Sequence, residues 1–357
     1  MNISQITLKD FRNYEALELP LEGGVTVLCG DNAQGKTNVL EAVYLCCTGR
    51  SHRTRQDKEL IRKGADAAFV QIVSQKRDGR HDVEILLSCA SRRKIKIAGQ
   101  ETSRSGELMG HVTGVLFSPE DLRTVKDGPA ERRRFIDMAL SQLKPAYYYA
   151  LQRYARALKQ RNEVLRAIAI HPRMMDTLDV WDEQLANAGD ELVRHRGEYV
   201  RRLSESAAAI HRDIAPDSPA FSIAYRPDAE DGLRALQECR AMDLKRMSTT
   251  VGAHRDEIRL MLGDMDVRAY GSQGQQRTAA LSMRLAEMQV MRAAMGEWPV
   301  LMLDDVMSEL DPSRRRQLVA HLDGVQTLVT CTDLSDLAGA RPERVYRVRD
   351  AVLSPIE

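Results

Sequence analysis

Long apolar runs, a secretion signal and paired cysteines are all missing from this sequence. No stretch approaches the ~18 consecutive apolar residues that a membrane helix requires. Residues 1–5 lack a basic segment followed by an apolar core, which a secretory signal would need. The six cysteines form no CxxC pair and lie in apolar segments, as reduced core thiols do. We therefore expect a cytoplasmic protein.

An excess of charge of one sign is also missing, and aromatic residues are scarce. The chain has 52 basic and 51 acidic residues, a formal net charge of +1, and only 5% aromatic residues. Because the overall charge attracts no polyanion, a surface for nucleic acid would have to be a local patch. The scarcity of aromatics argues against base stacking as the main mode of contact.

What the chain does have is length and a globular composition. Its 357 residues are 43% hydrophobic and 29% charged, which is typical of a folded domain rather than a disordered chain. A single core rarely grows beyond ~250–300 residues, so one large domain with a second lobe is expected.

Strand and helix patterns alternate in the first hundred residues. Residues 3–8 and 16–19 alternate apolar and polar side chains like half-exposed strands, and residues 25–29 form a short apolar run typical of a buried strand. Apolar spacing over residues 38–47 predicts a helix. Residues 69–97 predict several strands, with turns at residues 78–79 and 90–91.

The middle of the chain has helical periodicity instead. Apolar residues recur at helical spacing through residues 145–212, and His171-Pro172 interrupts the pattern. This predicts an antiparallel helical pair, or arm. A further helix is predicted over residues 232–247.

A glycine-bearing loop follows the buried strand at residues 25–29. Residues 30–37 fit GxxxxGK[ST] in full, with a strand before the loop and a helix after it. Glycines let the backbone curl round an anion, while exposed amides and the helix N-terminus supply positive potential. Lys36 would reach the β- and γ-phosphates of ATP, and the Thr37 hydroxyl would bind Mg²⁺.

An apolar strand at residues 298–303 ends in two carboxylates, Asp304 and Asp305. A buried parallel strand delivers such residues to its C-terminal edge, beside the phosphate loop. Asp304 is then a ligand for Mg²⁺, directly or through water, and Asp305 positions the attacking water. A pair of helix-capping aspartates is the alternative interpretation. Lys36, Asp304 and Asp305 are thus the predicted catalytic residues.

Residues 270–278 contain a Ser-x-Gly-Gln core followed by a predicted helix over residues 278–295. The segment is similar to the signature of ABC-type ATPases, in which Ser272 and the helix N-terminus would contact the γ-phosphate from the opposite subunit. Residues 308–311 resemble the D-loop of that class. Thr332 stands at the switch position, where most such ATPases have histidine. The predicted nucleotide-binding residues are Gly30, Asp31, Asn32, Ala33, Gln34, Gly35, Lys36, Thr37, Asn38, Ser272, Gly274 and Gln275.

Taken together, the sequence resembles the RecF family, whose relatives are the SMC-type chromosome-maintenance ATPases. Besides the ATPase motifs, the segments that carry the resemblance are residues 8–14, 117–122, 131–137, 252–256 and 303–311. Two positions depart from the family pattern: Ala33 stands where glycine is common, and Ala253 where proline is common. Neither removes a phosphate ligand, so small effects are expected.

The resemblance implies an α/β fold, with an ABC-type P-loop ATPase head of mixed sheet and flanking helices and an inserted, mainly helical arm lobe. The head would comprise residues 1–122 and 249–357, and the arm residues 123–248. The resemblance also implies slow ATP hydrolysis, ATP-dependent homodimerisation and binding to duplex DNA at single-strand gaps. There the family acts with the mediator proteins RecR and RecO to load the RecA recombinase.

Basic clusters are the candidates for DNA contact, although such clusters are more commonly solvated surface. We favour two of them, which comprise Arg50, Arg53 and Arg55, with His52 among them, and Arg92, Arg93 and Lys94. A third cluster, Arg132 to Arg134, lies in the arm, where Arg133 is expected to pair with Glu131 or Asp137.

Several single residues have weaker predictions. His254 is placed near the nucleotide without an assigned chemistry. Asn32 and Gln34 are expected to fix the shape of the loop or to approach the phosphate. Glu309 and Asp311 are candidates for contact with the partner subunit.

A transporter ATPase subunit and a phage-defence ATPase are the competing interpretations. The helical arm, the divergent signature and Asp305, where transporters usually have glutamate, argue against the first. The second type generally carries an added nuclease domain, and only about 45 residues follow the D-loop.

Overall fold

The structure is a computed structural model that describes residues 1–102, 104–337 and 341–356. The chain forms two compact units. The first comprises Met1–Asp121, Asp213–Pro216 and Leu281–Glu357, and the second comprises Leu122–Arg212 and Asp217–Ala280. Residues 249–280, assigned to the head from the sequence, thus pack with the second unit. The functional division into head and arm stays a prediction. Within the described residues, no helix has the length and apolarity needed to cross a membrane.

The strands are β1 (Asn2–Phe11), β2 (Tyr14–Pro20), β3 (Val25–Cys29), β4 (Ala67–Lys76), β5 (Gly79–Ser88), β6 (Lys94–Ile97), β7 (Gln100–Thr102), β8 (Gly114–Phe117), β9 (Phe221–Arg226), β10 (Glu257–Leu262), β11 (Met265–Asp266), β12 (Val300–Asp304), β13 (Thr327–Cys331), β14 (Arg344–Arg349) and β15 (Val352–Ile356). The helices are α1 (Lys36–Thr48), α2 (Leu122–Lys126), α3 (Pro129–Leu143), α4 (Pro145–Ile168), α5 (Leu178–Ile214), α6 (Gly232–Arg246), α7 (Val267–Tyr270), α8 (Gln273–Met295) and α9 (Pro312–Ala320).

An antiparallel sheet in the first unit has the strand order β2-β1-β4-β5-β6-β7. In β1 the apolar residues Ile3, Ile6 and Leu8 are fully buried. Ile6 and Leu8 follow the alternation of a strand, whereas Ile3 is out of phase with them, and the pairing of β1 with β4 shifts register between Ile3 and Gln5. β4 and β5 form a hairpin, and β5 begins directly after the turn at Gly79, whose φ of +130° favours glycine. The predicted strands and the turn at residues 78–79 are confirmed.

A second, mainly parallel sheet in the same unit has the order β15-β14-β3-β13-β12-β8. Only β15 is antiparallel to its neighbour. Nearly every residue of β3, β12 and β13 is buried, as expected for strands covered on both faces. Because β13 lies between β3 and β12, the carboxyl ends of all three strands meet at one edge. Helix α1 begins at Lys36, one loop after β3, at that same edge.

The second unit contains the predicted helical pair and a small antiparallel sheet, β11-β10-β9. The ion pair Arg153–Glu191 (2.6 Å) joins α4 to α5, and so does Arg161–Asp182 (2.5 Å). The residue number rises on α4 as it falls on α5, so the two helices are antiparallel. A 3-10 turn at Pro172–Thr177 separates them, where the sequence predicted the break.

Two fully or nearly fully buried arginines hold the second unit together. Arg161 donates to Asp182 and to Asp243 (2.6 Å), and both of these carboxylates are buried as well. Arg196 pairs with Asp137 and Asp256 at 2.9 and 2.8 Å. Charges removed from water need such partners, because an unpaired buried ion is strongly destabilising.

Candidate nucleotide-binding site

The phosphate loop is a tight turn between β3 and α1. Ala33 and Gly35 have φ values of +65° and +114°, both in the left-handed region. A Cβ on Gly30 would collide with the carbonyl oxygen of Val348, and one on Gly35 would lie 2.8 Å from Asn13 Nδ2. Gly30 and Gly35 are therefore required by the backbone path, whereas Ala33 tolerates its conformation at a cost of roughly 1–2 kcal/mol.

Lys36 lies largely buried at the start of α1. Its ammonium Nζ donates to the carbonyl oxygens of Gly30 and, at 2.9 Å, Asp31. The charge is thus directed back over the loop, where the β- and γ-phosphates of a nucleotide would lie. Phosphate oxygens are stronger acceptors for an ammonium than neutral carbonyls, so a bound nucleotide would displace these contacts.

Thr37, Asp304 and Thr330 form a hydrogen-bonded chain at the edge where the parallel strands end. The hydroxyls of Thr37 and Thr330 each donate to Asp304 Oδ1, both at 2.8 Å. Asp304 is buried, so one carboxylate charge is fixed directly beside the loop. The predicted approach of the acidic strand end to the loop is therefore present in the geometry.

Asp305 follows β12 with a φ of +54°, which is unusual for a residue with a side chain. Its backbone N–H donates to Thr330 Oγ1 (2.9 Å), and its carbonyl accepts from Ser308 Oγ (2.9 Å). The strained backbone turns the chain away from the sheet immediately after Asp304. Asp305 lines the cavity described below.

Asn13, in the turn between β1 and β2, clamps the loop from one side. Its Nδ2 donates to the carbonyl of Gln34 (3.1 Å), and its Oδ1 accepts from Asn38 Nδ2 (2.7 Å). Tyr14 is fully buried and donates to the carbonyl of Gly35 (3.2 Å). These contacts fix the shape of the loop from a hairpin that is adjacent only in space.

Gln34 connects the loop to the turn between β14 and β15. Its side-chain Oε1 accepts from the backbone N–H of Asp350 (2.6 Å), and its carbonyl accepts from Ala351 N–H (3.1 Å). Asp350 and Ala351 both have positive φ, as in the two-residue turns that join the strands of a β-hairpin. Gln34 therefore shapes the loop, which agrees with one of the two roles expected for it.

Glu41 is fully buried on α1 and forms ion pairs with two arginines. Arg12 donates to it through two nitrogens (2.7 and 2.8 Å), Ser51 donates at 2.5 Å, and Arg53 lies 3.5 Å away. Burial opposes ionisation, but the hydrogen bonds from Arg12 and Ser51 and the charges of Arg12 and Arg53 outweigh it and lower the pKa of Glu41.

A cavity of about 300 Å³ opens above these groups. Its walls are residues 32–38 of the loop and α1, together with Asn13, Arg53, Asp305 and Thr330. The volume is at the lower end of the range for small-molecule pockets. Its chemistry is that of a polyanion site, with backbone amides, a helix N-terminus, Lys36 and Arg53 on its walls.

The signature segment lies in the second unit, at the N-terminus of α8. Ser272 N–H donates to Gln275 Oε1 (2.8 Å), and Gln275 N–H donates back to Ser272 Oγ (3.3 Å). These two reciprocal hydrogen bonds form a capping box at the N-terminus of α8. Ser272 remains exposed. The predicted helix begins earlier than expected, at Gln273, so Gly274 and Gln275 belong to its first turn.

Residues near the D-loop and the switch position have structural partners. Asp311 caps α9 by accepting from Ser313 N–H and Arg314 N–H, both at 3.0 Å, and the Arg314 amide lowers the pKa of Asp311. Glu309 is exposed, and so is Thr332 directly after β13. Contact of Glu309 and Asp311 with a partner subunit stays a prediction.

The basic residues predicted to contact DNA divide into two kinds. Arg93 is tied to the carbonyl of Gly49 and to Asp57 (2.8 Å), and Lys94 pairs with Glu101 (3.6 Å). Arg53 donates to Asn38 Oδ1 (2.9 Å) and lines the nucleotide cavity. Arg93 is half-buried, and the exposed members are Arg50, Arg53, Arg55, Arg92 and Lys94.

Two predictions in the second unit turn out differently or stay open. Arg133 Nη1 donates to the backbone carbonyl of Asp256 (2.7 Å), and within the described residues it forms no hydrogen bond to Glu131 or Asp137, although the charge of Asp137 acts on its guanidinium group. His254 Nδ1 lies 2.7 Å from the Tyr154 hydroxyl, and burial lowers its pKa. Its expected place near the nucleotide stays a prediction.

The family model described as RecF/RecN/SMC N terminal domain matches residues 2–352. The chain has 16% identity to an SMC head domain bound to ScpA from Pyrococcus furiosus, with a TM-score of 0.58 over 99% of this chain and 95% of that one, a likeness in fold alone. The fold and the phosphate loop thus define the class, which is the SMC group of ABC-type ATPases. The predicted fold class is confirmed.

Closer relatives narrow the class. The chain is 41% identical over 345 residues to the DNA replication and repair protein RecF of Acetivibrio thermocellus, covering 93% of this chain and 94% of that protein. It is 42% identical over 352 residues to RecF of Agathobacter rectalis, covering 98% and 97%. The structure of the recombination mediator protein RecF with ATP has 32% identity and a TM-score of 0.93, over 99% of this chain and 97% of that one. The chain belongs to the RecF family of DNA replication and repair proteins.

Membership of this family favours a role in recombinational repair over the transporter and phage-defence interpretations, which are not supported. Asn13 and Thr330 also belong to the site, although neither was predicted as a site residue. Asn13 lies in residues 8–14, which carry part of the family resemblance, so a signal for it existed. Thr330 gave no signal, because one threonine in a buried strand is ordinary.

Proposed function

We propose that this chain binds ATP at the phosphate loop and hydrolyses it slowly. The hydrogen-bonded chain Thr37–Asp304–Thr330 is the observation that carries the proposal, because it joins a phosphate loop to an acidic strand end at one cavity. The full-length likeness to RecF solved with ATP supports it. Lys36 and the loop amides would bind the phosphates, and the nucleotide would act as a timer for assembly rather than as fuel for rapid turnover.

The residues at the loop also fit Mg²⁺. Thr37 Oγ1 and Asp304 Oδ1 lie 2.8 Å apart, and both are the hard oxygen ligands that this ion takes. Within the described residues, no group of three or more acidic, histidine or cysteine side chains could hold a metal. That suits an ion bound mainly by phosphates and water. Its contribution would be to neutralise charge on the phosphates.

Asp305 is proposed to orient the attacking water. It lines the cavity, and the hydrogen bonds of its backbone with Thr330 and Ser308 hold it just beyond Asp304. A carboxylate in that place can accept a proton from water as the oxygen attacks. Lys36 and Asp304 would hold the phosphates and the ion in line with this group.

Two chains are proposed to form a symmetric dimer with ATP in each site. Ser272 is exposed at the N-terminus of α8, a position that favours contact with a γ-phosphate of the partner. Gly274 and Gln275 belong to the same first turn. The site would then be complete only in the dimer, which couples nucleotide binding to assembly.

The closed dimer is proposed to bind duplex DNA at single-strand gaps and, with RecR and RecO, to help load RecA in the cytoplasm. The RecF structure with ATP is described as that of a recombination mediator protein in the RecFOR pathway, which supports this role. Exposed arginines such as Arg50, Arg55 and Arg92 would contact phosphates, making affinity dependent on salt.

Ser272→Arg tests the composite site. The bulky cation would block the interface, so the variant should bind ATP with the affinity of the original chain but remain monomeric in sedimentation. Ser222→Arg, an exposed serine on β9, is the matched control and should dimerise with ATP. Normal dimers of Ser272→Arg would contradict the composite site.

A further inference from the structure

A second cavity, of about 360 Å³, lies entirely within the second unit. Residues of four elements line it: Arg132 of α3, Glu257 and Arg259 of β10, Asp266 of β11, and Arg268 and Tyr270 of α7. The α7 helix leads directly into the signature segment, so this cavity adjoins Gly271 and Ser272 along the chain.

The charges around the cavity are unequally compensated. Both carboxylates have partners: Glu257 accepts from Arg132 Nη2 (2.9 Å), and Asp266 caps α7 by accepting from the N–H groups of Arg268 (2.9 Å) and Ala269 (3.1 Å). The guanidinium groups of Arg259 and Arg268 have no hydrogen bond or ion pair to any described residue. Three arginines against two carboxylates leave one net positive charge, and that charge is available to a ligand.

Arg132 adds a buried donor without an acceptor. Its side chain is 4% exposed, and although both terminal nitrogens are bonded, its Nε has no hydrogen-bond partner in the described part of the chain. Buried donors are nearly always paired, so an unsatisfied one on a cavity wall points to an acceptor that the chain itself does not provide.

Tyr270 supplies the only large apolar surface of the described wall residues that is open to solvent. It is 77% exposed, among the highest values for an aromatic or large apolar side chain in the described residues. An exposed ring next to unpaired arginines offers a stacking face and a phosphate site within one pocket. Protein sites for single-stranded nucleic acid combine these two features.

We propose that this cavity binds one nucleotide of single-stranded DNA, with its phosphate at Arg259 and Arg268 and its base against Tyr270. The inference rests on the proposed function and names a DNA-contacting site for it. Arginine favours phosphate because its planar fork can donate two hydrogen bonds at once. A single stacking residue also agrees with the low aromatic content of the chain, since one ring needs no aromatic-rich surface.

The position of the cavity links DNA to the signature segment. Gly271 N–H donates to the carbonyl of Val267 (3.0 Å), and a Cβ on Gly271 would lie 2.5 Å from that oxygen, so the turn after Tyr270 is tight. A ligand that fixes the position of Tyr270 would therefore also fix the position of Ser272 at the start of α8. A strand at a gap would in this way favour the arrangement of the signature segment.

The test compares a fluorescently labelled gapped duplex with the same duplex lacking the gap, by anisotropy with ATP present. The double variant Arg259→Gln/Arg268→Gln should lose roughly tenfold in affinity for the gapped duplex and show a shallower salt dependence. Tyr270→Ala should lose about tenfold as well, and Tyr270→Phe should restore binding because stacking needs only the ring. Affinity for the intact duplex should be unchanged in all of them.

Arg134→Gln is the matched control, since Arg134 is exposed on α3 and lies outside the cavity. It should bind both duplexes like the original chain. Equal affinities of the cavity variants and the original chain for the gapped duplex would overturn the proposal, and so would an equal loss in Arg134→Gln. A loss of ATP-dependent dimers with DNA affinity intact would assign the cavity to a partner chain and also overturn it.

A free nucleotide has the same phosphate and base, so a second arm adds AMP as competitor to the original chain at saturating ATP, which keeps the phosphate loop occupied. Displacement of the gapped duplex by micromolar AMP would overturn the assignment to a DNA strand, whereas its absence supports it. Failure of the original chain to dimerise with ATP or to bind any DNA would instead contradict the proposed function itself.

Discussion

The edge of the parallel sheet and the interior of the second unit both hold buried charges, but they satisfy them differently. At the sheet edge, Lys36 and Asp304 bond to neutral carbonyls and hydroxyls and lie beside a cavity. In the second unit, Arg161 and Arg196 bond to carboxylates contributed by other helices and loops. Neutral partners can be exchanged for phosphate and metal, whereas carboxylate partners fix a structure. Buried charged groups therefore serve binding in one region and stability in the other.

The largest effect is expected from Arg161→Ala. The change leaves Asp182 and Asp243 buried without their cation, so the free energy of unfolding should fall by about 3–5 kcal/mol. Urea denaturation measures this loss. Arg234→Ala is the control, because Arg234 forms only an exposed pair with Glu238, and its midpoint should stay nearly unchanged. Equal stability of the two variants would remove the distinction between the regions.

Lys36→Ala should show the opposite behaviour. The free energy of unfolding should change little, but ATP binding should weaken by about 1.5–3 kcal/mol, or roughly 10- to 150-fold, because a charged hydrogen-bond donor to phosphate is lost. Titration calorimetry measures the affinity. The control is Lys58→Ala, an exposed lysine of the first unit. Unchanged ATP affinity in Lys36→Ala would mean that the loop is structural, like the arginine networks.

The smallest effect is expected from Glu41. This buried carboxylate has both a neutral partner, the Ser51 hydroxyl, and a charged one, the Arg12 guanidinium. Its pKa is lower in the folded state than the ordinary value of 4.5, so below that value the unfolded state takes up a proton first. Its contribution to stability is therefore complete above pH 4.5 and is lost as the pH falls through the folded pKa. Glu41→Gln should lower stability at neutral pH and flatten the acid limb of the unfolding profile.

Urea midpoints measured across the acid range check this dependence. Glu18→Gln, an exposed residue on β2, is a control that should leave the slope unchanged. An acid limb as steep in Glu41→Gln as in the original chain would contradict the assignment.

Local motifs allowed much of the site to be predicted. The phosphate loop needs a strand, eight consecutive residues and a helix, all of which are contiguous in the sequence. Likewise, Asp304 and Asp305 are predicted to lie at the loop because parallel strands end at one edge. The helical pair is predictable because its periodicity is long and its break at His171-Pro172 is distinct.

The remainder depends on contacts between distant positions. Gln34 bonds a turn more than 300 residues away, and Thr330 reaches Asp304 only because β13 pairs with β12. The short strand β8 and the C-terminal hairpin have no strong pattern of their own, and tertiary pairing decides them. Arg93 forms an ion pair with Asp57 of a separate loop, a partner that spacing alone does not predict.

Sedimentation of Asp305→Asn with and without ATP, repeated with a gapped duplex, tests the central claim most directly. Because Asp305 is proposed to orient the attacking water, the substitution should slow hydrolysis, so ATP should remain bound and the dimer should persist. The account predicts a shift from monomer to dimer that requires ATP and retains the DNA. A chain that stays monomeric with ATP and does not bind the gapped duplex would contradict it.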